Sequence, residues 1–388
     1  MINKKHSIYT INFALISLSS LFFSASYNML IPELPAYLSS LGGAEYKGLI
    51  ISLFTLTAGL SRPFSGKITD TIGRKPVMTI GIIVCLICGF LYPVLTTISG
   101  FLFLRLLHGF STGFSPTAIS AYIADIVPKE RWGEAFGIQG LCFSTGLALG
   151  PALGSFIKMY YSFDVLFYSS SLVAFISVAL VVNAKETLKT PQHFNKSILK
   201  ISKNDIIAIE VLPSAIVTFL CYIAFGVILT LIPDWSDHLG IINKGTFFIV
   251  FTISSLCIRF MTRKVSDNYG RKIIIIISLI ILFLALILIG FLDTANGLLI
   301  AAVFYGLAMG ILSPTLNAWT VDMSDPNHRG KAMATMYIAL EAGIGLGAFF
   351  SGWYYQDMIS KIPLIMYTCA FMVFIAFTYM MYKLKEKS

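Results

Sequence analysis

The chain has 388 residues, 56% of them hydrophobic and 12% charged, with a net charge of +9 and a mean hydropathy of +0.81. That length ordinarily gives two or three soluble domains. A soluble domain is about 25% charged, so this chain lacks the charge to cover a water-facing surface, and soluble globular architecture is excluded. Basic loops on one side of a membrane explain the excess of lysine and arginine better than nucleic acid does.

A helix needs about 20 predominantly apolar residues to cross a hydrocarbon core about 30 Å thick, and twelve stretches satisfy this reading. The first, 8–31, follows Lys4, Lys5 and His6, as a signal peptide would. Its apolar run continues to Leu30 without a small-residue cleavage site, so it is expected to stay as a membrane helix. Further spans are expected at 46–66, 76–97, 99–124, 134–158 and 164–183, then at 209–233, 243–263, 272–292, 296–320, 331–356 and 361–383. The longest polar stretch, Lys185–Asp205, separates the two sets of six and carries Lys185, Lys189, Lys196, Lys200 and Lys203. The expected division is a bundle over 1–184, a cytoplasmic linker over 185–207 and a second bundle over 208–388. All six cysteines fall inside apolar runs. They give no disulfide framework, and Cys85 and Cys88, a C-x-x-C in mid-span, lack the soluble βαβ setting of a redox motif.

With twelve spans both termini share a side. That side would hold 23 of the 28 lysines and arginines and the other side four, Lys47, Lys158, Lys244 and Lys361, with Arg105 inside a span. The bias places both termini in the cytoplasm. A repeat runs through the chain at a constant shift of 197: Arg62 to Arg259, Asp70 to Asp267, Gly73 to Gly270, Arg74 to Arg271, Gly109 to Gly306, Asp125 to Asp322 and Gly146 to Gly343. Two similar membrane-embedded halves of this kind are a feature of transporters.

Three stretches carry a family resemblance. Gly66–Lys75, with Asp70, Gly73, Arg74 and Lys75, resembles the G-x-L-a-D-r-x-G-r-k loop between the second and third helices of the major facilitator superfamily, with Ile68 for its Leu and Thr71 for its first basic residue. Arg105-Leu-Leu-His108-Gly109 resembles its fourth-helix R-x-x-Q-G, with His in the Gln position. Gly146, Gly150, Pro151 and Gly154 resemble the fifth-helix G-x-x-x-G-P-x-x-G of its drug:proton antiporter branch. The resemblance covers the whole chain. It implies an all-α membrane protein of twelve transmembrane helices in two pseudo-symmetric six-helix bundles around a central cavity.

Several residues are candidates for the work of such a protein. Asp70 precedes the third span, so it is expected to cap that helix, and Arg74 is expected to pair with it or with Asp125. Asp267, Arg271 and Asp322 repeat the set. With Arg62, Gly66 and Gly73 they form an expected conformational latch; the plainer reading is that they cap helices and fix topology. Arg105 lies inside the fourth span, where a lone guanidinium is costly; it either faces a cavity with a partner or snorkels to the surface. His108 and Gly109 share its helix face. Glu341 falls near mid-membrane, where the bilayer penalises its charged form and favours proton uptake, unless it stays protonated and bonded to a neighbouring helix. Glu33, at the outer end of the first span, is a second candidate. Glu33, Arg105, His108 and Glu341 form the expected proton-coupling set. Tyr27, Asn28, Gln139, Tyr222, Asn317, Trp319 and Tyr337 are expected either to line the substrate cavity or to bond to neighbouring helices. Gly146, Gly150, Pro151 and Gly154 allow close helix packing and a kink.

Enzyme chemistry is not supported. Gly109-Phe-Ser111-Thr-Gly113 matches G-x-S-x-G by letter, but it lies within a helix rather than on a strand-turn-helix elbow. Neither G-x-x-x-x-G-K-[ST] nor H-E-x-x-H occurs, and no cofactor or metal is expected. The expected activity is proton-coupled efflux of a small amphipathic compound (a drug, siderophore-like metabolite or sugar derivative) by alternating access in the bacterial inner membrane. Proton-driven uptake or facilitated diffusion on the same fold is the alternative. The expected partners are the lipid bilayer, a small-molecule substrate and protons, with no nucleic acid, and the expected state is a monomer.

Overall fold

The computed structural model describes residues 9–128, 131–195, 198, 207–262, 269–324 and 329–385. Among them the chain forms thirteen α-helices: α1 (Ile11–Asn28), α2 (Leu34–Ser40), α3 (Lys47–Thr71), α4 (Arg74–Leu91), α5 (Ile98–Ile126), α6 (Trp132–Tyr160), α7 (Phe163–Val182), α8 (Leu212–His238), α9 (Thr246–Met261), α10 (Arg271–Phe291), α11 (Ala295–Met323), α12 (Arg329–Tyr355) and α13 (Ile362–Lys385). The seven-residue α2 is an addition, following Pro32 and Glu33 with Pro35 in its first turn. The other twelve run from 16 to 29 residues, one over each stretch read as apolar.

Their ends have local causes. The side chains of Thr10, Thr97, Ser162 and Thr294 accept from the backbone N–H three residues on, satisfying donors that a helix start leaves open. Among the described residues eight helical stretches are long and apolar enough to cross a membrane, including Arg74–Leu91, Phe163–Val182 and Arg271–Phe291. The first helix is diluted by serines that face the interior, including Ser17, Ser19, Ser20, Ser24 and Ser26.

The chain gathers into two compact units, residues 1–30 with 57–201 and residues 31–56 with 202–388. The boundary falls within α3. In the first unit α1 packs on α6 and α7, and α4 on α5 and α7. In the second α8 packs on α12 and α13, α10 on α11 and α13, and α9 on α11. Apolar side chains fill the first unit's interior, including Phe13, Ile16, Phe23, Met78, Ile82 and Tyr122.

The two units repeat in detail. Thr97 caps Gly100 in one and Thr294 caps Gly297 in the other. A Cβ on Gly113 would meet Ala58 O and Ser61; one on Gly310 would meet Ser255 O and Ile258. Arg74 Nε donates to Asp125 at 3.0 Å and Arg271 Nε to Asp322 at 2.9 Å.

The structure corrects one expectation here. Gly66 and Asp70 belong to α3, which continues to Thr71, so Asp70 does not cap the next helix. The residue before α4 is Gly73, at φ 142°, a backbone conformation that favours glycine, and its site offers no side chain of its own to cap with.

Candidate functional site

A buried polar chain crosses the first unit from α5 to α1. Arg105 is 2% exposed, which rules out snorkelling to the surface. Its Nη1 donates to Tyr92 Oη at 3.3 Å. Tyr92 Oη lies 3.3 Å from His108 Nδ1, His108 Nε2 lies 3.1 Å from Cys85 Sγ, and Cys85 Sγ lies 3.2 Å from Ser26 Oγ. Ser26 Oγ donates to Phe23 O at 2.8 Å. One arrangement of hydrogens satisfies all of these: each group donates onward, Arg105 to Tyr92, Tyr92 to His108, His108 through Nε2–H to Cys85, and Cys85 to Ser26. The ring of Phe167 stacks on Tyr92 at 5.0 Å. Arg105 and His108 therefore share one buried face, as their spacing implied. The cavity candidates of this unit bond or pack within it. Asn28 Nδ2 donates to Ser24 O on its own helix, and Gln139 Nε2 reaches Ser20 Oγ at 3.0 Å; Tyr27 packs on Phe23.

A charged cluster lies where α3 gives way to α4. Arg74 bonds Asp125, the carbonyl of Thr69 at 2.6 Å and Asp70 at 3.3 Å. The segment after α7 is tied across it. Glu186 accepts from the N–H groups of Arg74 (3.1 Å) and Lys75 (2.9 Å), and from those of Thr187 and Leu188. It supplies the cap that α4 lacks, in the field of that helix's N-terminus. Desolvation pushes the carboxyl's pKa up, but these backbone hydrogen bonds together outweigh it and hold the pKa below the ordinary value of 4.5. Thr187 Oγ1 donates to Asp125 at 2.6 Å and the Gln192 N–H to Thr71 O at 2.8 Å. In the second unit the Arg271–Asp322 pair borders a cavity of about 360 Å³ lined also by Gly270, Lys272 and Trp319. Trp319 thus lies beside Arg271 and Asp322. Asp267 is outside the described residues.

The second unit holds the two candidate acids. Glu341 is 8% exposed, midway along α12, and Glu33 is 6% exposed, at the start of α2. Tyr222 of α8 donates to Ser313 Oγ of α11 at 3.3 Å. Asn317 stands one turn beyond Ser313 on α11, and Tyr337 of α12 adjoins Tyr222 electrostatically. In the same unit Lys47, 5% exposed, donates to Asp234 Oδ2 at 2.7 Å and to Asp357, and Tyr355 Oη donates to the same Asp234 oxygen at 3.1 Å.

The glycine motifs serve packing inside each unit. A Cβ on Gly146 or Gly150 would strike the α1 backbone at Leu21 or Ala25, one on Gly154 the backbone of Met29 just past α1, and one on Gly343 or Gly347 the α8 backbone at Phe219 or Ile223. Pro151 lies inside α6 among these contacts.

The profile of the Major Facilitator Superfamily matches residues 16–212 and 214–388. The chain belongs to the Major Facilitator Superfamily. As a major facilitator it is a transporter, not an enzyme, and an integral membrane protein that works on a small molecule within lipid. It is 25% identical over 341 residues to Multidrug resistance protein 2 of Bacillus subtilis, covering 83% of this chain and 82% of that one. It is 25% identical over 313 residues to the multi-drug resistance efflux pump PmrA homolog of Lactococcus lactis, covering 76% of each. It is 30% identical over 164 residues to the quinolone resistance protein NorA of Staphylococcus aureus, covering 41% of this chain and 42% of that one. Among solved structures the human organic anion transporter MFSD10 superposes with a TM-score of 0.74 at 18% identity, over 95% of this chain and 99% of that one. A D-xylose-proton symporter superposes with a TM-score of 0.77 at 16% identity, over 96% and 97%.

Several residues of this facilitator escaped the sequence reading. Tyr92 and Ser26 lie in ordinary apolar runs, Cys85 stood out only as half of a C-x-x-C, and the chain they form with His108 is what marks them. Lys47 reads as a solvated outer charge, yet it is buried between carboxylates 187 and 310 positions away. Glu186 opens the linker, with no local sign that its carboxylate caps α4.

Proposed function

We propose that this transporter exports small amphipathic compounds (drugs, siderophore-like metabolites or sugar derivatives) in exchange for protons, by alternating access. It does so through twelve transmembrane helices in bundles over 1–184 and 208–388, joined by the linker 185–207. The observation that carries the reading is burial of an ionisable side chain inside a helix of each unit, Arg105 at 2% and Glu341 at 8% exposure. Such groups are costly in a membrane and mark pathways or proton relays. The multidrug and efflux names of the relatives favour export.

In this mechanism outside protons load Glu341 or Glu33, while Arg105, steadied by the chain through Tyr92 and His108, sets the local field. Substrate entering from the cytoplasm favours release of the proton inward. Each inward charge contributes about 2.3 kcal/mol per 100 mV of membrane potential. Tyr27, Asn28, Gln139, Tyr222, Asn317, Trp319 and Tyr337 line the path or brace it. The Arg74–Asp125 and Arg271–Asp322 pairs, with Arg62, Gly66, Asp70, Gly73 and Asp267, act as a bistable latch. The protein works as a monomer in the bacterial inner membrane with both termini cytoplasmic.

Inside-out vesicles test the reading. An exporter accumulates a fluorescent drug when the vesicle lumen is acidified; an importer does not, and that result overturns export. Glu341→Gln and Arg105→Ala each abolish proton-driven accumulation while leaving folded protein. Unchanged coupling in both removes the assignment of the proton site.

A further inference from the structure

The two units carry the same arginine–aspartate pair at the shift of 197, but they hold it differently. In the first unit the chain leaving α7 is laid across the pair. Tyr122 Oη donates to Lys185 O at 2.7 Å, Glu186 accepts from the N–H groups of Arg74 and Lys75, and Thr187 Oγ1 donates to Asp125 Oδ2 at 2.6 Å. That carboxylate oxygen is the one Arg74 Nε reaches at 3.0 Å. Arg74 is therefore gripped twice, by its side chain through Asp125 and by its backbone through Glu186. Carrying its backbone away from Asp125 would also take from α4 the acceptor that satisfies its first amides.

Shifted by 197, Tyr122, Glu186 and Thr187 become Trp319, Lys383 and Leu384. Trp319 has no hydroxyl, an ammonium accepts no hydrogen bond, and a leucine side chain neither donates nor accepts. The brace therefore has no chemical counterpart in the second unit, although the places match: Lys75 Nζ donates to Val182 O and Lys272 Nζ to Lys383 O. Where the brace would lie, the cavity of about 360 Å³ opens, with Arg271, Trp319, Asp322 and Leu384 in its wall. The side chains of Arg271 and Asp322 are 24% and 51% exposed, against 13% and 31% for Arg74 and Asp125.

An exposed ion pair has small net worth because water competes for both partners. A contact that must break and re-form in every cycle needs that near balance, and it needs room for the arginine to swing. The second pair has both. We propose that the two latches do different work: Glu186 and Thr187 hold the Arg74–Asp125 pair closed throughout the cycle, and the Arg271–Asp322 pair is the one that opens. The assignment rests on the alternating-access reading, and it makes Glu186 and Thr187 positioning residues.

The transport test uses the full-length protein in inside-out vesicles, with ethidium as the probe. Arg74→Cys with Asp125→Cys, and Arg271→Cys with Asp322→Cys, are each bridged by a short bis-methanethiosulfonate and released with dithiothreitol. Each is compared with its own reduced form, and reagent-treated wild type controls for the native thiols. Bridging the second pair slows accumulation about tenfold or more, reversibly, while bridging the first changes it by less than about twofold. A first bridge that stops transport as fully as the second overturns the proposal, and so does a second bridge that changes nothing.

Amide hydrogen exchange in nanodiscs decides where a reduced pair is inactive. Gly73-Arg74-Lys75 and Gly270-Arg271-Lys272 are the same tripeptide, so their intrinsic exchange rates match. Opening of the second latch makes the Arg271 and Lys272 amides exchange about tenfold faster than those of Arg74 and Lys75. Glu186→Ala with Thr187→Val removes the difference by speeding the first pair, and unchanged exchange in the rest of the first unit reports an intact fold. Equal exchange in the wild type overturns the proposal, as does a difference that survives the double substitution. Wild-type vesicles that accumulate nothing remove export, and the exchange ratio still decides whether the latches differ.

Discussion

Lys47 shares one Asp234 oxygen with Tyr355, and its ammonium lies 5.7 Å from the Tyr355 ring centroid. The side chains of Lys47 and Asp234 are 6% and 11% exposed, against 49% for Asp357. Removing one partner of a buried pair leaves the other charge uncompensated, which costs about 3–5 kcal/mol. Lys47→Ala is therefore expected to destabilise the protein by about that much. Lys47→Met combined with Asp234→Leu, which removes both charges together, recovers most of the loss. Unfolding in mixed micelles measures both, and an alanine variant as stable as wild type contradicts the pairing. None of this was legible locally. Lys47 follows Glu45 and Tyr46 in a short polar connection, where a window of sequence predicts a solvated charge. The sequence did mark Arg105, because a guanidinium inside an apolar span stands out. It did not mark Tyr92, because a tyrosine near a span end is ordinary.

Among the elements, α6 shows how backbone contact is written into a helix. A Cβ on Gly154 would lie 1.8 Å from Met29 O, whereas one on Gly140 meets nothing within 4 Å. Gly154→Ala should cost about 1–3 kcal/mol through overpacking, while Gly140→Ala on the same helix is neutral or slightly stabilising. Thermal unfolding of the two variants, measured together, separates packing from helix propensity. Helix α4 depends on a different device, the Glu186 carboxylate. Its pKa is depressed in the folded protein, so the stability it contributes is present above the ordinary value of 4.5 and is lost as pH falls through the folded value. Glu186→Gln should remove that acid-limb dependence and leave a flatter stability profile over the same range. An unchanged acid limb shows that the cap contributes nothing. Helix positions were readable from apolar length. The continuation of α3 to Thr71 was not, because the charges of Ser65–Lys75 read as a loop although its first seven residues are helical.

For the whole molecule the sequence spoke most clearly through its repeat. A shift of 197 found by matching letters returns as matched geometry: the ion pairs at 3.0 and 2.9 Å, the threonine caps, and the positive φ at Gly73 and Gly270. A duplicated fold repeats its backbone constraints, so glycines, caps and charges at helix ends carry the signal even where interiors have drifted. Grouping of 31–56 with the later helices was not legible, since it depends on contacts far apart along the chain. Orientation is testable at this scale. The bias of 23 basic residues to four predicts that a fluorescent protein fused at the C-terminus lights up, because it folds in the cytoplasm. A periplasmic alkaline phosphatase fused there should stay inactive, and activity would reverse the topology.

The strap behind α7 bears on where this polypeptide can be divided. The amino end of α4 is finished by Glu186, roughly a hundred positions downstream, and further ties follow at Thr187 and Gln192. During synthesis that helix start waits uncapped until the ribosome has passed the linker's opening residues. A fragment of the first half stopped at 184 would be released with those amides open, so the scissors belong after Gln192.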